Sequence, residues 1–314
     1  MSTFRNELGA NRKILWIASA GGHLEQALRI ELNTGVNRES LWLTFDTPQT
    51  RSRLANRRHE FIPYVAPRDM RGAIRSARRA AGIAEHESFD LVASTGAGVA
   101  LFALPLLAQR GLPAVFIDSV TRAEVPSTTG CLLALTSKVR TLTQHEQLAS
   151  RRWDYAGSVL SGLRSKATPG SLPPRRFFVT LGSIQPYRFD RAVDAVLRVL
   201  RPTDEVVWQL GATTRDDLPG IVHDQVSQSE MRQFYLDADV VLTHAGIGSL
   251  ILAAETGTSA MVMVRSRRYR EHVDDHQRHI ADYLLRAGVV REFSLEDPRR
   301  RSVEEASRSA LEFS

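Results

Sequence analysis

Four clusters of residues in this 314-residue chain have types and spacing that could do chemistry. The first is Ser19-Ala20-Gly21-Gly22-His23, which follows an apolar run. Glycines at a strand-to-helix turn let backbone approach a ligand, and the N-terminus of the next helix favours an anion. His23 there suits a general base or a substrate contact, and equally a residue that only caps the turn. The string is not the dinucleotide fingerprint, and no acidic residue sits suitably at the end of the second strand, so a dinucleotide site is not expected. The second cluster is Leu181-Gly182-Ser183, where backbone amides and a hydroxyl could hold a phosphate. The third and densest is Thr243-His244-Ala245-Gly246-Ile247-Gly248-Ser249, with Glu255 in the helix that follows. Free backbone N–H groups at such a turn suit a pyrophosphate, and a carboxylate at 255 could accept hydrogen bonds from a ribose diol. The alternatives are close helix–strand packing for the glycines and an exposed helix position for Glu255. The fourth is Glu271-His272-Val273-Asp274-Asp275-His276-Gln277 at a helix start. His272 and His276 are four apart, but no third ligand is spaced to complete a metal site, and sugar-hydroxyl recognition is the favoured use. Asp237-Ala238-Asp239 matches the DxD string of metal-dependent transferases. It falls where a helix ends and a strand begins, and reads as structural.

The elements that must position these clusters alternate. Apolar runs at 13–18, 41–45, 89–93, 114–118 and 140–142 read as buried strands, with helices at 22–34, 70–87 and 97–110 between them. This alternation implies a parallel sheet covered on both faces. A Ser/Gly/Pro-rich stretch at 158–176 reads as a linker. The pattern then restarts, with strands at 177–180, 205–209, 240–243 and 260–264 and helices near 187–200, 229–237, 248–256 and 274–287. The expectation is α/β: two Rossmann-like domains facing a cleft, over residues 1–165 and 172–290, then a polar tail, 291–314, whose last piece at 303–313 looks helical.

Composition sets the class. A hydrophobic fraction of 43% and a charged fraction of 24% are those of a globular protein. The single cysteine, Cys131, permits no intrachain disulfide, and a cytoplasmic compartment fits. No signal peptide or membrane-spanning run is expected, since the longest apolar stretch, 98–108, is interrupted by Pro105. The net charge of +6 comes almost wholly from arginine, clustered at Arg51, Arg53, Arg57, Arg58, Arg68, Arg71, Arg75, Arg78 and Arg79. Such a field suits a solvated surface, an anionic membrane or a phosphorylated lipid. No nucleic-acid recognition motif accompanies it, so no nucleic-acid partner is expected.

The segments THAGIGSLILAAETG and REHVDDHQRHIADYLLRAG together resemble the donor-binding domain of the family 28 glycosyltransferases, which have the GT-B fold. SAGGHLEQAL, STGAGVALFALPLL and DSVTRAEVPSTTGCLL are similar to the membrane-recruiting half of the two-subunit UDP-GlcNAc transferase of eukaryotic N-glycan precursor synthesis. Bacterial polysaccharide enzymes have the same two parts, and here both lie in one chain. The resemblance implies an inverting, metal-independent transfer from a UDP-sugar to a lipid-linked saccharide, with no cofactor beyond that co-substrate. It implies donor contacts from Gly182, Ser183, His244, Gly246, Gly248 and Ser249, a ribose contact from Glu255, and sugar contacts from His276 and Gln277. It implies His23 as catalytic base, with Gly21, Gly22, Thr95, Gly96, Asp118 and Arg122 on the acceptor side. The bacterial relatives often have Glu at the position of Asp118, and the membrane anchor of the eukaryotic half is not found here, so membrane contact would be peripheral. Arg265, Arg267, Arg268 and Arg270 would suit a carboxylated donor sugar. The competing readings are a non-catalytic recruiting subunit and a UDP-sugar 2-epimerase.

Overall fold

The computed structural model describes residues 3–66, 69–96, 98–168, 173–183 and 185–314, without the side chains of residues 3 and 276. Arg68 of the basic cluster and Ala97 of the second glycine segment lie outside the described residues. The chain divides into two units, Met1–Ser161 and Gly162–Ser314.

In the first unit the strands are β1 (Ile14–Ala18), β2 (Leu41–Phe45), β3 (Arg58–Ile62), β4 (Leu91–Gly96), β5 (Ala114–Ile117), β6 (Val139–Thr143) and β7 (Asp154–Tyr155). Its helices are α1 (Thr3–Leu8), α2 (Gly22–Thr34), α3 (Pro48–Arg53), α4 (Met70–His86), α5 (Ala100–Gln109) and α6 (Thr128–Ala134). The sheet order is β3-β2-β1-β4-β5-β6-β7, and its pairings are parallel. β1, β2, β4 and β5 are buried at every position, which is why they read as mainly apolar runs rather than alternating ones. Trp16 and Trp42 stack across β1 and β2 with centroids 5.2 Å apart. The polar run of β3 was not expected as a strand. It forms because the edge of the sheet needs a partner for β2, not because its side chains are apolar.

The second unit has β8 (Leu163–Ala167), β9 (Arg176–Thr180), β10 (Glu205–Gln209), β11 (Ile221–His223), β12 (Val240–His244), β13 (Ala260–Met263), β14 (Arg291–Glu292) and β15 (Ser309–Phe313). Its helices are α7 (Asp190–Leu197), α8 (Gln228–Asp237), α9 (Ile247–Thr256), α10 (His276–Arg286) and α11 (Arg300–Ala306). The main sheet runs β11-β10-β9-β12-β13-β14, again parallel. Its own core includes Phe177, Val179, Trp208, Leu242, Met261 and Phe293.

Two sequence expectations change here. The stretch expected as a linker contains a strand, β8, and the tail expected as one helix is α11 followed by β15. β8 and β15 pair antiparallel, Leu163 opposite Phe313 through Ala167 opposite Ser309. The 163–167 run, LRSKA, is exposed apart from half-buried Leu163, so it carries no apolar signal. Its partner 146 residues on supplies the hydrogen bonds that make it a strand.

Candidate functional site

In an open parallel sheet, ligands bind outside the carboxyl ends of the strands where the strand order reverses. In the first sheet that point lies between β1 and β4, and in the second between β9 and β12. β1, β9 and β12 each end in a glycine-containing turn drawn from the clusters above, and β4 ends at Gly96.

In the first unit, Ser19 N–H donates to Gly96 O at 3.0 Å and ties the ends of β1 and β4 together. Gly21 caps α2, and His23 lies in its first turn. His23 Nδ1 lies 2.6 Å from the Thr95 carbonyl, and the Thr95 hydroxyl donates to His23 O at 2.7 Å. A carbonyl only accepts, so Nδ1 carries the proton and the neutral ring has its lone pair on Nε2. Gly96 has φ +110°, and a Cβ there would sit 2.8 Å from His23 Cε1. Only glycine leaves room for the ring in this position.

Asp118, at the end of β5, is buried, and burial pushes its carboxyl above the usual range. Its oxygens accept from Ser119 N at 3.0 Å and Ser127 N at 2.7 Å, so it organises the loop that carries half-buried Arg122. A buried amide network beneath this loop was missed in the sequence. Gln26 Nε2 donates to Gly22 O and to Ser119 Oγ, both at 3.0 Å, and Gln26 Oε1 accepts from Val120 N at 2.8 Å and Gln144 Nε2 at 2.9 Å. Gln26 is one turn beyond Gly22 on α2, so the network couples the His23 turn to the Asp118 loop. Nothing in a lone Gln of an amphipathic helix announces this.

In the second unit, the ring of His244 lies between the two glycine turns. A Cβ at Gly182 would meet its Nε2 at 2.7 Å, and one at Gly246 would meet it at 2.1 Å. Burial, with the nearby Arg265 charge, pushes His244 down to about 3, so the ring is neutral. Gly246 is the N-cap of α9 and offers no side chain to the first N–H groups of that helix. Those groups are open to an anion. Gly248 and Ser249 lie in the same first turn, and Glu255 is half-buried in the last turn, about 9 Å further along the axis from Ser249. Ser183 follows Gly182, and residue 184 lies outside the described residues. Gly211, beyond β10, abuts the Gly182 turn and was not anticipated: a Cβ there would overlap the Gly182 carbonyl oxygen, at 1.9 Å.

α10 begins at His276. Gln277 in its first turn is buried, and its Oε1 has no hydrogen-bond partner among the described residues. His272 is buried and stacks on Tyr187. Asp239 accepts from the backbone of Arg175 and Arg176 and pairs with the Arg176 side chain. Of the four arginines expected to face a carboxylated sugar, Arg265 is corrected. It is fully buried two residues past the end of β13, whereas Arg267, Arg268 and Arg270 are exposed. Among the described residues, no group of three His, Cys, Asp or Glu is placed to hold a metal ion.

Two doubly wound parallel-sheet units, each with a glycine turn at its switch point, define the GT-B fold. Over the whole chain the fold matches the MurG structure from Acinetobacter baumannii (TM-score 0.55, 18% identity, 93% of this chain and 89% of that one). It also matches the glycosyltransferase SnogD from Streptomyces nogalater (TM-score 0.56, 17% identity, 94% and 92%). The spinosyn rhamnosyltransferase SpnG complexed with thymidine diphosphate is similar as well (TM-score 0.51, 16% identity, 94% and 90%). Residues 176–299 match the glycosyltransferase family 28 C-terminal domain. A UDP-N-acetylglucosamine--N-acetylmuramyl-(pentapeptide) pyrophosphoryl-undecaprenol N-acetylglucosamine transferase of Xylella fastidiosa is 32% identical over 149 residues. That alignment covers 44% of this chain and 39% of the relative's length.

Proposed function

We propose that this protein transfers a sugar from a UDP-sugar to a lipid-linked saccharide, with inversion and without a metal. The observation that carries the reading is the pair of glycine turns at the β9/β12 switch point, closed around a neutral His244 at the N-terminus of α9. A diphosphate there meets free backbone N–H groups and the positive end of a helix dipole, which stabilise the charge that grows on departing UDP. Ser183 and Ser249 add hydroxyls, and Glu255 would accept from the ribose diol. The buried, unanswered Oε1 of Gln277 would take a sugar hydroxyl as donor, with His276 beside it on the same turn.

On the acceptor side, His23 Nε2 would take the proton of the attacking hydroxyl, with Thr95 holding the ring and Gly21, Gly22, Gly96 and the Asp118–Arg122 loop around it. The relatives named for lipid-linked acceptors support that substrate class. Peripheral contact with an anionic membrane surface would use α4, where Arg71, Arg75 and Arg78 are exposed beside Met70 and Ile74. No described helix is long and apolar enough to cross a membrane.

Calorimetric titration of UDP, then of a panel of UDP-sugars, tests the donor reading. Micromolar UDP binding that weakens at least tenfold in Glu255→Ala is the expected result. Equal affinity in that variant would remove the ribose role of Glu255. No binding of UDP or any UDP-sugar would remove the transferase reading and favour a recruiting subunit. Donor consumed without acceptor would point to a 2-epimerase.

A further inference from the structure

Arg265 sits directly behind the donor turns, and neither its burial nor its bonding is explained by the reading above. Its side chain is fully buried, at 0% exposure. A cation in such a place is costly unless its donors and charge are answered. Here the answer comes mainly from backbone. One guanidinium nitrogen donates to Leu181 O, and the other to Glu271 O at 3.3 Å. The Phe189 ring lies under the guanidinium at 5.3 Å. Nε has no hydrogen-bond partner among the described residues. The Glu271 carboxylate is engaged by Arg191, at 3.0 and 2.9 Å, and by Ser266 N at 2.9 Å.

The carbonyl that Arg265 grips belongs to the peptide that joins Leu181 to Gly182. In a trans peptide the C=O and the next N–H point in opposite directions. Holding Leu181 O toward the interior therefore turns the Gly182 N–H away from it. A charged donor on the carbonyl makes a stronger bond than a neutral one and polarises the peptide, which strengthens its N–H as a donor. The His244 ring also lies against this turn, where it would meet a Cβ at Gly182.

We propose that Arg265 is a positioning residue for the donor diphosphate: by gripping the Leu181 carbonyl it orients and polarises the Gly182 N–H of the phosphate-binding turn. This rests on the reading that the Gly182 and Gly246 turns receive the diphosphate. It replaces the expectation that Arg265 meets a carboxylate on the sugar.

The test measures UDP by calorimetry and uridine by ligand-observed NMR on the full chain, as wild type, Arg265→Met and Arg265→Lys. Only UDP carries the diphosphate, so a positioning defect at the turn separates the two ligands, whereas general damage to the fold weakens both. The expected result is a loss of at least tenfold for UDP in Arg265→Met with uridine within twofold of wild type. Arg265→Lys keeps the charge but has no planar fork to hold two carbonyls, so its UDP loss falls between the two. UDP affinity within twofold of wild type in Arg265→Met, or UDP and uridine weakened alike, overturns the proposal. If Arg265→Met does not fold, the lysine variant decides: no UDP-specific loss there overturns it. A wild-type chain that binds neither ligand overturns the donor reading itself, and this proposal with it.

Discussion

At the scale of single residues, His23 and His244 sit in opposite settings imposed by their partners. Thr95 O fixes the tautomer of His23, with the proton on Nδ1. His244 is kept neutral between two glycines and gives shape rather than a proton. The assignment of His23 as base predicts that His23→Ala lowers turnover by about 10²–10⁴-fold while the UDP dissociation constant stays within twofold. Steady-state rates beside calorimetry check it, and a matching loss of UDP affinity would assign His23 to the fold instead. His23 could be picked from the sequence because a histidine beside two glycines after an apolar run is conspicuous. Gln26, Gln144 and Gly211 could not, because their significance comes from partners 93, 118 and about 30 residues away.

At the scale of elements, the strands bracketing the two sites were readable and the edges were not. β1, β4, β9 and β12 are central and buried on both faces, so their apolar content is dictated by position. β3, β8 and β15 are polar or mixed and exist through pairing alone. β15 also packs beside α9: Leu311 N donates to Thr258 O just past the end of that helix. The tail thus braces the helix that carries Ser249 and Glu255.

Helix α4 shows the other kind of amphipathicity. Gly72, Ala73, Ser76, Ala77, Ala80 and Ala81 face inward, while Arg71, Ile74, Arg75, Arg78 and Arg79 face outward. Arg79 is paired with Glu60. Each remaining arginine near an anionic surface contributes about 1 kcal/mol. Flotation with vesicles of anionic lipid should therefore drop on the order of a hundredfold in partition when Arg71, Arg75 and Arg78 all become Ala, with UDP affinity unchanged. Equal binding to zwitterionic vesicles, or no change in the triple variant, would remove the membrane role from α4.

At the scale of the whole molecule, two units with separate cores share one building plan, and each places glycines where its strand order reverses. The second unit carries a pH liability at His244. The folded-state value of His244 is pushed down to about 3, first by burial and then by Arg265, so the unfolded chain binds a proton that the folded one refuses. Its contribution to stability is present above the unfolded value, near 6.5, and is lost progressively as pH falls toward 3. The slope approaches about 1.4 kcal/mol per pH unit for each such group. His145, also lowered by burial, acts in the same direction. Denaturant melts at pH 7.0, 5.5 and 4.5 should show this loss, and imidazole NMR should show His244 neutral throughout. A His244 ring that titrates above pH 5 would contradict it.

The sequence by itself determined the alternation of strands and helices, the two-part plan and the glycine turns. Those follow from local rules: buried central strands must be apolar, and a backbone that approaches a ligand must shed its side chain. Only the tertiary structure decided which turns share a switch point and that the tail joins the second unit as a strand. It also decided that Arg265, one of four arginines alike in the sequence, faces inward to a carbonyl. These depend on pairing and burial between residues far apart in the chain, and neither spacing nor composition encodes which distant backbone group a side chain will meet.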